Sequence, residues 1–402
     1  MALEIPATTW TTSAALSLAS GVAALALMAS AAILGGRWPW CERWFGGLDR
    51  VYETHKWVGI YALAMASIHL LFKADLRGWE TAAILPVASE WTRLARQASF
   101  LGLGLIILLA LNRNISYAVW RWWHRLSGPF FLIVILHWLS IRSPIHLAGP
   151  AGLWLAGLSL LGVSAALWKL VLYPALARHA EYRVVDVLRG GSAVQMDLVP
   201  TGRRLDFSAG QFGFLQMKAP GLREPHPFTI AAAASPDGRL RFVIRSLGDF
   251  TGRLVATVEP GMLADVYAPY GRFLRKAGAG REIWIAGGVG ISPFVAWMDD
   301  AGPSRFDTVT LFYFYSPERA FPSVDTLEGI ARDRGVEFIP IATGPADPGF
   351  ARRFAEIVDG CDPSTLDLAV CGPRGLVEAV AALAKANGVP PERLRHEQFA
   401  FR

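Results

Sequence analysis

The feature that most limits how this chain can fold is the placement of its apolar runs. Within the first 172 residues, five segments are long or apolar enough to lie in hydrocarbon: roughly 11–34, 54–72, 97–111, 120–140 and 150–172. Crossing about 30 Å of hydrocarbon takes about 20 helical residues at about 1.5 Å rise each. No water is available there, so each backbone N–H and C=O must be satisfied within its own segment, and the runs are helices. The 97–111 run is short and needs flanking residues to span. The first run has no basic residue before it and an apolar core too long for a signal peptide, so it reads as a retained helix.

The 53% hydrophobic content is unevenly spread: thirteen of the fifteen tryptophans lie at or before Trp168. The remainder reads as a soluble α/β sequence, so a membrane half is joined to a soluble half. Five spans put the two termini on opposite sides. Arg37, Arg43, Arg50 and Lys56 in one loop, Arg113 and Arg121 in another, and Lys169 and Arg178 after the last span place these loops and the soluble half in the cytoplasm. Lys73, Arg77, Arg93 and Arg96 would then lie outside, against the trend. The net charge of +6 belongs to membrane-side loops. No basic patch with interleaved aromatics points to nucleic acid. Cys41, Cys361 and Cys371 are scattered, which excludes a cysteine-held cluster or a structural zinc.

Four of the eight histidines fall within the expected spans: His55 and His69 in the second, His124 and His137 in the fourth. An imidazole is costly to bury in hydrocarbon, so four of them need a reason. Fourteen helical residues rise about 21 Å and turn about 1400°, about 40° short of four turns, so His55 and His69 share a face at two depths. The second and fourth spans run in the same direction, which sets His55 level with His124 and His69 with His137. Two facing histidines at each level supply both axial ligands of a low-spin haem, and two b-type haems would stack across the membrane. A bare zinc or copper ion needs clustered ligands, whereas the two levels are about 20 Å apart. The thirteen residues between His124 and His137 leave them about 140° apart on an ideal helix, so a distortion is expected at Ser127–Pro129.

From about residue 181 the chain turns to short alternating segments such as "AVQMDLVP" and "LRFVIRSL", the pattern of a small antiparallel barrel. Near 282 it becomes apolar strand, glycine turn and helix, repeated, which is a parallel nucleotide-binding sheet. "HPFTI" at His226–Ile230 gives an aromatic ring and a hydroxyl at a strand end, suited to stacking on a flavin and bonding a ring nitrogen. In "RSLGDFTGRL", Gly248 and Thr251 open a helix whose backbone N–H groups suit a pyrophosphate. "GGVGISP" at Gly287–Pro293 permits close approach of a dinucleotide phosphate, and "CGP" at Cys371–Pro373 ends a parallel strand, where such sheets bind ligands.

In order and spacing these stretches resemble the NADPH oxidase and ferric reductase superfamily, most closely its stand-alone bacterial NADPH oxidases. The resemblance runs from about residue 35 to the C-terminus through "LDRVYETHKW", the histidine spacings of 14 and 13, "WHRLSG", "HPFTI", "IAGGVGISPF", "CGP" and "EQFAFR". It implies a transmembrane bis-haem domain over 1–178, an FAD-binding β-barrel over 179–277 and an NAD(P)H-binding α/β domain over 278–402. The last two make up a ferredoxin–NADP reductase-like module. His226, Pro227, Phe228 and Thr229 look like the flavin motif, with Thr229 near the reactive nitrogen. Arg245, Ser246, Gly248 and Thr251 look like the FAD phosphate segment. Gly287, Gly288, Gly290 and Pro293, with Gly372 and Pro373, look like the dinucleotide turns. Cys371 stands where nicotinamide arrives, and Phe399 matches the aromatic that covers the flavin until nicotinamide displaces it.

The activity implied is an NAD(P)H oxidase of a bacterial-type inner membrane. Electrons pass from cytoplasmic NADPH through FAD and the inner haem (His55, His124) to the outer haem (His69, His137), and then to dioxygen outside, giving superoxide. The flavin is required because hydride delivers two electrons and haem iron accepts one. A ferric reductase, an electron donor to another membrane protein and a non-catalytic haem sensor are the alternatives. Ser316 and Arg319 suit a 2′-phosphate and hence NADPH, whereas Glu318 suits a free ribose hydroxyl and hence NADH. Phe130 or Phe131 lies midway between the haem levels, as a bridge or as helix packing. Many relatives have six spans, and here the outermost is missing. With no calcium-binding loop or added regulatory domain, activity without a partner subunit is expected.

Overall fold

The computed structural model describes residues 11–72, 76, 79–112, 114–276, 280–300 and 306–397. The chain divides into two compact units, with the boundary between Ala177 and Arg178.

The first unit is helical: α1 (Thr12–Leu34), α2 (Pro39–Phe45), α3 (Leu48–Leu71), α4 (Ser89–Leu111), α5 (Tyr117–His124), α6 (Ser127–Ser140), α7 (Pro150–Leu167) and α8 (Tyr173–Leu176). A π-helical turn, Trp168–Leu172, joins α7 to α8, so Pro150–Leu176 is one helical run. Among the described residues, three helices are long and apolar enough to cross a membrane: Thr12–Leu34, Ser89–Leu111 and Pro150–Leu176. The second of these extends the 97–111 run back to Ser89, supplying the missing length. α3 is long enough, but Asp49, Arg50, Glu53 and Lys56 crowd its first half.

The 120–140 segment is two helices instead of one. Pro129 has no N–H to offer the carbonyl of Arg125, and the junction tightens: the N–H of Leu126 bonds the carbonyl of Trp123 at 3.0 Å, a 3₁₀-type step. Each such residue adds about 20° of rotation over an α-helical one, which turns His137 toward the face of His124. The break therefore precedes Ser127–Pro129. Phe131 is buried with Leu25, Ala29 and Leu155 in the core shared by α1, α6 and α7. Phe130 lies against Gly102 of α4. Both rings pack between helices.

The second unit begins with six strands: β1 (His179–Gly190), β2 (Ala193–Pro200), β3 (Phe212–Met217), β4 (His226–Thr229), β5 (Leu240–Arg245) and β6 (Leu263–Tyr270), with α9 (Asp249–Thr257) between β5 and β6. They pair antiparallel in the order β4-β3-β6-β1-β2-β5, and a bridge from Ile230 to Phe242 brings the two edges together into a barrel. Alternation drives this: Ala180, Tyr182 and Val184 point inward while Glu181 and Arg183 do not.

The rest of the unit is β7 (Glu282–Gly287), α10 (Ser292–Asp300), β8 (Val309–Phe314), α11 (Val324–Arg334), β9 (Glu337–Ile341), α12 (Pro348–Asp359), β10 (Asp367–Cys371), α13 (Arg374–Ala386) and β11 (Leu394–Glu397). The five strands are parallel in the order β11-β10-β7-β8-β9. Helices cover both faces, so β8 and β10 are buried throughout and their sequences are apolar apart from Thr310 and Asp367. Trp284 and Tyr313 face α10 and α11, while Ile283 and Phe312 face α12 and α13. Because β10, β7 and β8 are neighbours, the turns "CGP", "GGVG" and "SPER" all open at one edge of the sheet.

Candidate functional site

In the membrane unit the four histidines stand as two facing pairs. The ring centroids of His55 and His124 are 5.9 Å apart, and those of His69 and His137 are 6.4 Å apart. An imidazole nitrogen ligates a transition ion at about 2.0–2.1 Å and lies about 1.1 Å from its ring centroid. Two rings on opposite sides of one ion therefore have centroids about 6.3 Å apart. Both pairs fit that spacing. Each pair brings two imidazoles together, and no group of three or more metal-ligating side chains occurs among the described residues.

The rings are held unequally. Nδ1 of His55 donates to the carbonyl of Ala31 at 2.9 Å, and Nδ1 of His69 donates to the carbonyl of Ser17 at 2.7 Å. A carbonyl only accepts, so both rings carry their proton on Nδ1 and leave Nε2 as the ligating atom. The Nδ1 atoms of His124 and His137 are buried with no hydrogen-bond partner among the described residues. Trp120 stacks on His124 with centroids 5.3 Å apart. The two α1 carbonyls carry no sequence signal, because backbone atoms 24 and 52 residues away from the histidines supply them.

In the soluble unit, β4 carries the "HPFT" motif. The hydroxyl of Thr229 is buried and without a partner, an orphaned donor of the kind a flavin ring nitrogen would satisfy. His226 stacks on Phe250 of α9 with centroids 3.8 Å apart, and its Nε2 lies 3.4 Å from Glu224. The imidazole thus ties the strand to the start of α9. Pro227 and Phe228 complete the strand, paired with Phe214 and Gly213 of β3. At the start of α9 the Thr251 hydroxyl accepts from the N–H groups of Leu247 (2.9 Å) and Gly248 (3.1 Å). Thr251 therefore shapes this helix end, and the N–H of Ser246 is taken by the carbonyl of Ser192.

Arg245 parts from the segment with which the sequence grouped it. Its Nη2 donates to the carbonyl of Arg319 at 2.7 Å. Its guanidinium also overlies Gly288, where a Cβ would come within 3.0 Å of Nη1. It thus reaches from the barrel to the dinucleotide turn. Gly288 is left-handed at φ +56, and a Cβ on Gly290 would fall 2.3 Å from the carbonyl of Cys371, so this turn admits only glycine. Gly287 lies against Gly372 and Pro373, and Pro293 is buried at the start of α10. The two glycine motifs form one continuous rim. Ser316 and Arg319 are exposed on the turn after β8.

Cys371 ends β10 as expected, but its thiol points into the core that Trp284 and Tyr313 share. Burial, and then the charge of Glu397, push that thiol well above the usual range, so it is protonated and inert, and the residue meets the Gly290 turn through its carbonyl. Glu397, directly beside Cys371 in the β10–β11 register and 6% exposed, is the buried carboxylate at this edge that the motifs did not mark. Phe399 lies outside the described residues.

Residues 20–135 match the family model of a ferric reductase like transmembrane component, and residues 181–268 match that of an FAD-binding domain. The chain is 25% identical over 208 residues to the reductase component of propane 2-monooxygenase from Rhodococcus jostii, a stretch covering 48% of this chain and 56% of that protein. It is 30% identical over 159 residues to methane monooxygenase component C of Methylosinus trichosporium, covering 39% and 46% respectively. The chain thus spans about half the length of these relatives. In fold it is similar to the flavohemoglobin of Malassezia yamatoensis, with a TM-score of 0.52 at 14% identity, over 97% of this chain and 99% of that one.

Proposed function

We propose that this membrane flavoprotein oxidoreductase, a member of the NADPH oxidase and ferric reductase superfamily, is an NAD(P)H oxidase that delivers electrons one at a time across the membrane to dioxygen, each electron reducing one O2 to superoxide. The observation that carries the reading is the pair of facing histidine couples fourteen residues apart along α3. His55 and His124 would hold the inner b-type haem, and His69 and His137 the outer. When bound, FAD turns a two-electron hydride donor into single electrons that haem iron can carry.

The residues of the soluble unit do the positioning. The Thr229 hydroxyl fixes the flavin edge, while His226, Pro227 and Phe228 form its wall. The start of α9, shaped by Thr251 and preceded by Ser246 and Gly248, takes the FAD phosphates through the N–H groups of the helix's first turn, since those of Ser246 and Gly248 are already bonded within the chain. Gly287, Gly288, Gly290 and Pro293 bring the nicotinamide dinucleotide against Gly372 and Pro373, beside Cys371, with Phe399 as the displaceable cover. Arg319 and Ser316 receive the 2′-phosphate, favouring NADPH over NADH. The basic loops of the membrane unit support a cytoplasmic soluble unit, with the outer histidines toward the far side. Lipid surrounds the helices, and no activating subunit is required.

A ferric reductase is the second reading, favoured by the description of the model that residues 20–135 match. NADPH-driven cytochrome c reduction with and without superoxide dismutase separates the two. Inhibition by the dismutase is the expected result, and its absence overturns the oxidase reading. A spectrum of the purified protein before and after anaerobic NADPH tests haem count, flavin content and electron transfer together.

A further inference from the structure

We propose that α1 is the positioning helix for both proposed haem sites, and that Gly21 is the residue that admits the outer ligand His69. This rests on the haem reading above. The α1 carbonyls that accept from His69 and His55 belong to Ser17 and Ala31, which are fourteen residues apart, the same spacing as the two histidines. Antiparallel helices of one pitch require that match, so one packing register serves both depths.

A helical side chain covers the turn on the N-terminal side of its own Cα, so the carbonyl of residue i is screened by residue i+4. For Ser17 and Ala31 those positions are Gly21 and Gly35. At Gly21 a Cβ would lie 2.8 Å from Nδ1 and 3.0 Å from Cε1 of His69, closer than any methyl tolerates. At Gly35 the nearest ring atom, Cε1 of His55, would be 3.7 Å away, an ordinary contact. The ring at the outer depth therefore reaches its carbonyl only because residue 21 has no side chain, whereas the inner ring reaches its own past either glycine or alanine. The donated Nδ1–H fixes the tautomer, holds the ring plane and raises the donor strength of Nε2. His124 and His137 receive no such support among the described residues. Within each pair, one ligand is anchored by α1 and the other is not.

The test compares the full-length haem-loaded protein with the variants Gly21→Ala and Gly35→Ala. The readouts are haem per chain, the electron paramagnetic resonance signal of each ferric haem and the two midpoint potentials. In Gly21→Ala one of the two haems should change its signal and potential and bind about 10–100-fold more weakly, the usual effect of losing a ligand's outer hydrogen bond. Gly35→Ala should match the wild type. Two unchanged haems in Gly21→Ala, or equal damage from both variants, overturn the proposal while leaving the haem reading intact. Wild-type protein that takes up no haem brings down both. Should Gly21→Ala fail to insert, histidine-labelled wild-type protein in the diamagnetic ferrous state decides the matter. The Nδ1 protons of His55 and His69 should exchange slowly and those of His124 and His137 quickly; four equal rates reject the role of α1.

Discussion

In the soluble unit, three of the buried carboxylates are each gripped by an arginine. Arg395 holds Asp367 through both carboxylate oxygens and donates to the carbonyl of Leu274 at 2.5 Å. Arg275 grips Glu282, which also accepts from the indole of Trp284, and Arg241 grips Asp197 at 2.7 and 2.9 Å. In the membrane unit the exposed surface is apolar, with Leu101, Leu108 and Leu160 each about two-thirds exposed. The ionisable rings inside it face one another, with Nδ1 bonded only in His55 and His69 and Nδ1 of His124 and His137 without a partner among the described residues. Buried charge in the soluble unit is thus internal stapling. Two of the three pairs fasten the segment after the barrel to the parallel sheet, and the third joins two strands of the barrel. In the membrane unit buried charge is an unfinished donor set. The same observation, a titratable group out of water, has opposite meanings, and whether its hydrogen-bonding capacity is exhausted tells them apart.

The sharpest way to break that contrast is to remove one ring. His69→Ala should abolish haem at the outer level and lower NADPH-driven reduction of an acceptor on the far side by more than the roughly 100-fold upper range for an outer-shell change. Reduction of a soluble dye directly at the flavin should continue. Loss of both activities together would make His69 a structural residue like those of the soluble unit.

Next in size is a broken staple. Arg395→Ala leaves Asp367, 4% exposed, uncompensated and should cost about 3–5 kcal/mol. Chemical denaturation followed by release of flavin fluorescence measures this. Arg395→Met with Asp367→Leu should regain most of the loss, because a well-packed apolar pair replaces a buried ion pair at little cost. No recovery in the double variant would give the pair a role beyond stapling.

A smaller effect is expected at the exposed cation. Arg319→Ala removes a charge-assisted contact worth about 1.5–3 kcal/mol and should raise KM for NADPH about tenfold or more, with little change for NADH. Equal changes for both nucleotides would remove Arg319 from the 2′-phosphate and favour the ribose contact by Glu318.

How far the sequence reached follows from what each residue depends on. The pairing of the histidines was legible because helix rise and rotation are local constants, and an imidazole in an apolar run is scarce. The glycine turns were legible as strand-to-helix connections, and their meeting follows from the neighbouring positions of β10 and β7. The split between α5 and α6 was legible only as a distortion, since Pro129 marks a missing hydrogen bond but acts one turn upstream of itself. Nothing local could show that Ser17 and Ala31 orient the rings, that Arg245 reaches Arg319, or that the Cys371 thiol turns inward. Those depend on which face of one element meets another. Glu397 escaped for the same reason: a lone acid near a chain end gains meaning only from the parallel register that sets it beside Cys371.

Tyr313 tests the boundary between the two kinds of burial, and its effect at neutral pH is the smallest. It is fully buried on β8, stacks on Tyr315 with centroids 5.6 Å apart, and its hydroxyl has no partner among the described residues. By the contrast drawn above it belongs with the unfinished groups, although it sits in the stapled unit. Burial pushes its phenol up to about 12, so it stays protonated through the physiological range. Tyr313→Phe should then alter stability at pH 7 by no more than about 1 kcal/mol, because an unsatisfied hydroxyl is exchanged for an apolar edge. The sign at high pH is fixed. The folded value lies above that of the unfolded chain, about 10, so stability is fully present below pH 10 and is lost as the pH rises toward 12. The wild type should lose about 2–3 kcal/mol over that window relative to Tyr313→Phe, measured by paired denaturation curves. If Tyr313→Phe instead weakens NADPH binding at pH 7 with stability unchanged, the hydroxyl serves the nucleotide, and Tyr313 joins the histidines as a donor kept open for a ligand.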